Sequence, residues 1–305
     1  MSYKDEFNFW LNDDYFDQAT KDELLAIRNN EGEIEDRFYR ELEFGTAGLR
    51  GIIRAGINGM NIYTVAQATQ GLSVLVNKSG RANDGVIIAS DTRIKSDEFV
   101  KVCAEVLAAN GIKTYIFPTL MPTPLLSFAV MRLKCRSGIV ITASHNPSKY
   151  NGYKCYDPAG YQMTEEAALA TYSYIQNVDM FNDVKRVAFE EALEKGMIEY
   201  ISDEIVEEFY SLVMQRPINP EIIKESDLKI IYTPLNGTGN IPVRTVLDRA
   251  GFKNVKIVKE QEMPNGKFPT CPYPNPEIRQ VFECGLEMTK EEKADLLLAT
   301  DPDCD

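Results

Sequence analysis

The sequence predicts an α/β protein: two related three-layer αβα domains with mainly parallel mixed sheets, preceded by a helical N-terminal leader. Three observations carry that expectation. Short apolar runs alternate with segments of helical periodicity, which is the pattern of βαβ units. The same order of strands and helices then occurs a second time. Finally, the third strand of each set leads into the two most chemically loaded stretches of the chain. These are Thr142-Ala143-Ser144-His145-Asn146-Pro147 and Thr300-Asp301-Pro302-Asp303-Cys304-Asp305. Open α/β sheets gather function at the carboxyl ends of their strands.

Residues 1 to about 42 read as amphipathic helix, with Leu24, Leu25 and Ile27 set among charges. Val86 to Ala89 is a short apolar run, a buried strand by pattern, and it ends in Ser90-Asp91. Ser96 is placed as an N-cap. Phe99, Val102, Cys103, Val106 and Leu107 follow at helical spacing, and Gly111 stops that helix. Lys113 to Phe117 is the second strand, Leu125 to Leu133 a helix behind Pro122 and Pro124, and Gly138 to Thr142 the third strand. In the second set, Ile230-Ile231-Tyr232 is a strand and about Ile241 to Ala250 a helix. Lys256-Ile257-Val258 and Leu296-Leu297-Leu298 are the remaining strands. Val106 to Lys113 aligns with Val246 to Lys253, matching Val, Leu, Gly and Lys, so a duplication is expected. The charged helical stretch from about Phe189 to Arg216 holds the join. The domains are drawn as 1–195 and 196–305.

A length of 305 residues suits two domains of roughly 100–200 residues each. The net charge of −13 argues against a nucleic-acid or anionic-membrane surface, since both require a basic patch. It leaves room for a small phosphorylated ligand, which needs only a few local donors. No run approaches the ~18–20 apolar residues of a membrane span. The six cysteines form no Cys-x-x-Cys pair and fit no usual zinc spacing. With no apolar signal segment at the start, they read as reduced thiols in a cytoplasmic protein. Composition says nothing of oligomeric state.

Asp301, Asp303 and Asp305 alternate, so on extended backbone they face one point. Three hard oxygen donors suit Mg²⁺ or Mn²⁺. The same letters open an EF-hand loop, follow a strand in haloacid-dehalogenase phosphatases, or form a solvated acidic tail. Ser144 ends a strand beside His145, the single histidine of the chain. On extended backbone these two neighbours point apart, and no second histidine exists to activate the hydroxyl, so a Ser-His-Asp triad is a poor fit. The Gly-x-Ser-x-Gly elbow is also absent. A serine that carries phosphate beside a cation fits better; a plain turn serine is the other reading. Thr233-Pro234-Leu235-Asn236-Gly237-Thr238-Gly239 has the glycine content of a tight loop or a phosphate cradle, without a Walker lysine.

Four segments carry a resemblance. Thr142 to Pro147 followed by Tyr150-Asn151-Gly152-Tyr153-Lys154 resembles the phosphoserine signature of the α-D-phosphohexomutases, the phosphoglucomutase/phosphomannomutase family. Phe44-Gly45-Thr46-Ala47-Gly48-Leu49-Arg50-Gly51 is similar to their first active-site segment. Ser90-Asp91-Thr92-Arg93 with Ser96 resembles a further stretch of their first domain. Asp301 to Asp305 resembles their metal loop. The leader with Trp10 is similar to the phosphoglucomutase/phosphopentomutase branch.

The resemblance implies that Ser144 holds a phosphoryl group and passes it to a sugar monophosphate, making a bisphosphate. It implies Mg²⁺ on Ser144, Asp301, Asp303 and Asp305. Arg50, His145 and Lys154 would assist catalysis, and Thr46, Arg93 and Asn146 would bind substrate; for Arg93 a buried pair with Asp91 is the other reading. The partners are then a sugar phosphate and a sugar bisphosphate, with glucose 1-phosphate and glucose 6-phosphate interconverted. The nearest rivals are a phosphopentomutase or phosphomannomutase, a non-catalytic phosphosugar- and metal-binding fragment, and a metal-dependent phosphatase. Family enzymes have four domains. The arginine expected after Asp305, the sugar-specificity loop and the distal phosphate site are absent from these 305 residues, so little or no mutase activity is expected of them alone.

Overall fold

The structure is a computed structural model that describes residues 2–45 and 48–304. Among the described residues, ten strands form two sheets. The first holds β1 (Phe44–Gly45), β2 (Gly48–Ile52), β3 (Val86–Ser90), β4 (Thr114–Ile116), β5 (Ser137–Ile141), β6 (Tyr150–Tyr156) and β7 (Ile198–Tyr200), in the order β1-β2-β6-β5-β3-β4-β7. The strands β5, β3, β4 and β7 are parallel, while β6 and β2 extend the sheet antiparallel. The second sheet is β10 (Leu296–Ala299), β8 (Lys229–Thr233) and β9 (Asn254–Ile257), all parallel, with β8 central.

Strand alternation makes the three layers. Val86, Ile88, Ile139 and Ile141 point into one core, closed by the helices Ile62–Lys78, Ser96–Ala109 and Glu165–Gln176. Ile87, Ala89 and Val140 point into the other, closed by Thr123–Arg132 and Asp203–Val213. A sheet buried on both faces needs such continuous apolar strands. Gly71 is where two of the covering helices touch. A Cβ there would lie 2.5–2.8 Å from the backbone and side chain of Ile175. Alanine would bring about 1 kcal/mol of helix propensity. Overpacking against a neighbouring backbone costs about 1–3 kcal/mol and outweighs it. Gly71→Ala is therefore expected to destabilise the protein by up to about 2 kcal/mol in a urea titration; a raised midpoint contradicts that packing.

The duplication has a topological counterpart. In each sheet the first strand of the unit is central, the second lies on one side and the third on the other: β5-β3-β4 and β10-β8-β9. The aligned helix–strand joins both turn on a left-handed glycine, Gly111 at φ 74° and Gly251 at φ 99°. That is the conformation glycine adopts without a Cβ penalty.

The leader is three helices, Tyr3–Asn12, Gln18–Ile27 and Glu31–Phe38. Trp10, fully buried, stacks on Phe16 at 4.2 Å between centroids and meets Phe38 and Tyr63 edge-on. Tyr63 belongs to the first domain. Its hydroxyl donates to Asp17 Oδ2 at 2.8 Å and accepts from the Asp17 amide at 2.7 Å. Burial pushes that phenol up to about 12. Leu24 is buried in this cluster, whereas Leu25 faces solvent.

Two expectations shift. Ser96 is the first residue of its helix, and Lys95, at φ 64°, is the N-cap. The Ser96 hydroxyl instead accepts from Asn151 Nδ2 at 3.1 Å. The first sheet also continues past residue 195, because Ile198–Tyr200 pairs with β4. Ile205, Val206 and Phe209 of the next helix pack on the first core. We propose that the domains divide after that helix, beyond Val213. Among the described residues no helix is long and apolar enough to cross a membrane.

Candidate active site

The loop after β5 is held in an uncommon shape. Ser144 sits at φ 52°, a left-handed conformation that few non-glycine residues adopt. Three groups impose it. The Ser144 amide donates to Thr142 Oγ1 at 2.8 Å, and Thr142 Oγ1 donates to Asp91 Oδ2 at 2.6 Å. Arg93 donates to four loop carbonyls: Ser144 at 2.5 Å, Asn146 at 2.6 Å, and Pro147 and Tyr150 at 2.9 Å each. Asp91 lies 3.2 Å from Arg93 Nε, and both side chains are fully buried. Burial raises the Asp91 carboxyl to about 6, against the opposing pull of Arg93 and Thr142.

These contacts correct the substrate-binding role expected of Arg93. Its guanidinium is committed to the loop backbone and to Asp91, and it has no exposed face with which to meet a ligand. They also correct the expectation that Ser144 and His145 point apart. The left-handed turn at Ser144 brings its Oγ to 3.3 Å from His145 Nδ1, with the histidine exposed.

Ser144 faces the second domain. Its hydroxyl donates to Asp301 Oδ2 at 3.0 Å, so the two loaded stretches of the sequence meet. Lys154, on β6, donates to Asp303 Oδ2 at 3.1 Å, and Thr123 Oγ1 donates to the same oxygen at 3.1 Å. The Thr123 amide donates to the Asp303 carbonyl at 2.9 Å. Burial pushes the Asp303 carboxyl up, but Lys154 and the hydrogen bonds outweigh it and hold the group below its usual range. Arg50, on β2, donates to Asn146 Oδ1 at 3.2 Å. It borders a surface cavity of about 470 Å³ also lined by Arg40, Arg54 and Tyr150. Thr46 and Asp305 lie outside the described residues.

The loop Thr233–Gly239 is no phosphate cradle. The Asn236, Gly237 and Thr238 amides are bound to the carbonyls of Gln261, Pro234 and Pro302. A Cβ on Gly237 would meet Pro302 Cα at 2.5 Å, so this loop braces the aspartate loop from behind. Sequence reasoning missed Thr123, and it gave Thr142 no role beyond its place in the signature. Thr123 lay hidden in Pro122-Thr123-Pro124, which reads only as a helix start, and no local pattern marks it.

The donor set fits a hard cation. Asp301 and Asp303 are buried, and Asp303 Oδ1 has no hydrogen-bond partner in the protein. A buried carboxylate oxygen in that state calls for a ligand. Among the described residues no group of three or more His, Cys, Asp or Glu gathers elsewhere or here; the set is two carboxylates and the Ser144 hydroxyl.

Known proteins bear on this geometry. A family model described as phosphoglucomutase/phosphomannomutase, alpha/beta/alpha domain I, matches residues 41–181, and the domain II model matches residues 207–305. A phosphoglucomutase of Staphylococcus saprophyticus is 36% identical over 96% of this chain and 50% of its own length. A phosphoribomutase of Saccharomyces cerevisiae is 33% identical over 99% of this chain and 51% of its own. The chain thus spans about half the length of the curated relatives it matches. Among solved structures, a Thermus thermophilus chain described as a phosphomannomutase superposes with a TM-score of 0.72. It is 26% identical, over 87% of this chain and 56% of that one.

Proposed function

This chain belongs to the phosphoglucomutase/phosphomannomutase family, and we propose that it is the phosphoryl-carrying half of a phosphosugar mutase, with Ser144 as the carrier. The observation that supports this best is the 3.0 Å contact of Ser144 Oγ with Asp301, across two domains and beside the Lys154–Asp303 pair. A lone turn serine would not be so surrounded.

In this reading a sugar bisphosphate approaches Ser144. A bond forms between Ser144 Oγ and phosphorus, and the bond from phosphorus to the sugar oxygen breaks. The sugar monophosphate leaves with the proton that the hydroxyl gives up. His145 Nδ1, 3.3 Å from Ser144 Oγ, is placed to relay that proton. In the reverse step a sugar hydroxyl attacks the phosphoserine, and His145, exposed beside the same oxygen, is placed to exchange its proton. Lys154 and Arg50 supply positive charge around the transferring group. Ser144, Asp301 and Asp303, with Asp305, would hold Mg²⁺, which supplies charge neutralisation on the phosphoryl oxygens when bound. Thr46 and Asn146 are the proposed substrate contacts.

Glucose 1-phosphate and glucose 6-phosphate are the proposed substrates. The match to a yeast phosphoribomutase supports pentose phosphates as a second reading. The buried thiols of Cys103, Cys135, Cys155 and Cys271 are in keeping with the proposed cytoplasmic location. The 305-residue chain, incubated with Mg²⁺ and glucose 1,6-bisphosphate and then digested, should carry phosphate on Ser144, seen by mass spectrometry. Assayed alone on glucose 1-phosphate it should not turn over, since the relatives' other half grips the far phosphate in this reading. Phosphate on another residue with Ser144 bare refutes the assignment. Release of free phosphate through an aspartyl intermediate would indicate a phosphatase instead.

A further inference from the structure

The Ser144–Asp301 contact joins loops of two domains, and something must fix their distance. The segment Asn265–Phe268 touches the supports of both. Gly266 lies against the first domain so closely that a Cβ would meet Thr92 O at 2.5 Å, Ile94 N at 2.6 Å and Arg93 C at 2.9 Å. Only glycine allows two backbones that near. Two residues on, Phe268 is fully buried at φ 46°. That is an outlying conformation for a bulky residue, kept only where its surroundings over-determine it. Its ring lies under the Arg93 guanidinium, 5.3 Å from centroid to Cζ, within cation–π range. Asn265 faces the other way, its amide donating to the Asn236 carbonyl at 3.1 Å. Asn236 adjoins Gly237 and Thr238, which brace Asp301 and Pro302.

We propose that Gly266 and Phe268 are positioning residues, a latch by which the second domain fixes the Ser144 loop through Arg93. Arg93 holds four carbonyls of that loop, so a shift of its guanidinium moves Ser144. The same segment leans on the brace of Asp301, so the register between acceptor serine and aspartate is set in one place. The latch stands on geometry alone; its consequence for transfer rests on the reading of Ser144 as phosphoryl carrier.

Two variants test it. Phe268→Leu keeps an apolar filler beside Leu235, Cys271 and Val281 but removes the ring face. Gly266→Ala leaves that cluster untouched and forces the backbones apart. Hydrogen exchange is followed at the Ser144, Asn146 and Tyr150 amides, with the helix Ile62–Lys78 as reference, together with the initial rate of phosphate uptake from glucose 1,6-bisphosphate. Exchange in the loop is expected to rise about tenfold in each variant with the reference unchanged. Uptake should slow by a similar factor at saturating bisphosphate, with the half-saturating concentration little altered. Loop exchange like that of the unaltered chain, or a rise equal to that of the reference helix, overturns the latch. Should Phe268→Leu fail to fold, Gly266→Ala decides alone. If loop exchange rises as expected but the unaltered chain takes up no phosphate, the latch stands and the carrier assignment falls.

Discussion

Replacing Ser144 by alanine is expected to abolish phosphate uptake from a sugar bisphosphate, by at least about 10⁴-fold, as losses of a covalent nucleophile do. The fold should survive. The Ser144 hydroxyl meets Asp301 Oδ2 and His145 Nδ1, whereas the loop's shape is set by its backbone bonds to Thr142 and Arg93. Alanine in the left-handed region is no easier than serine, so a small loss of stability is the only structural effect anticipated. The check is the stoichiometry of acid-stable, alkali-labile phosphate on the chain, with circular dichroism as control. Uptake within tenfold of the unaltered protein would mean that another group carries the phosphate and that the Ser144–Asp301 contact has no part in it.

Arg93→Ala should be the most destabilising single substitution near the site. It strands Asp91, fully buried, without its cation, and leaves four loop carbonyls without their donor. Breaking a buried pair from one side costs about 3–5 kcal/mol. Arg93→Lys keeps the charge but cannot spread donors over four carbonyls, so it should recover only part of the loss. Urea titrations of the two variants measure this directly. Losses below about 1 kcal/mol for the alanine variant would show that water replaces the guanidinium, and the clamp would be ornamental.

The core of the first domain was open to reading, because its strands are continuous apolar runs and its helices show clean periodicity, whereas the buried cluster of Leu235, Phe268, Cys271 and Val281 in the second lies mostly on loops without a period. Val86–Ser90 and Ser137–Ile141 are instances, buried on both faces. The repeated order was legible for the same reason. The strand Tyr150–Tyr156 was not, since Tyr150-Asn151-Gly152-Tyr153-Lys154 drew attention as a signature and hid its extended shape. The meeting of Ser144 with Asp301 followed from topology, both loops leaving third strands. The role of Arg93 did not, because one guanidinium serving four distant carbonyls leaves no periodic trace. Nor did the pairing of Ser144 with His145, which depends on a single torsion that no letter of the sequence announces.

That torsion also bears on which hydroxyl amino acid the position accepts. Threonine has the same chemistry to offer an incoming phosphoryl group, and for an extended loop the choice between the two would be close. At φ 52° it is not close. A second branch on Cβ makes the left-handed region an outlier, whereas serine enters it with a smaller penalty. The backbone thus narrows the acceptor to a primary alcohol before any substrate arrives.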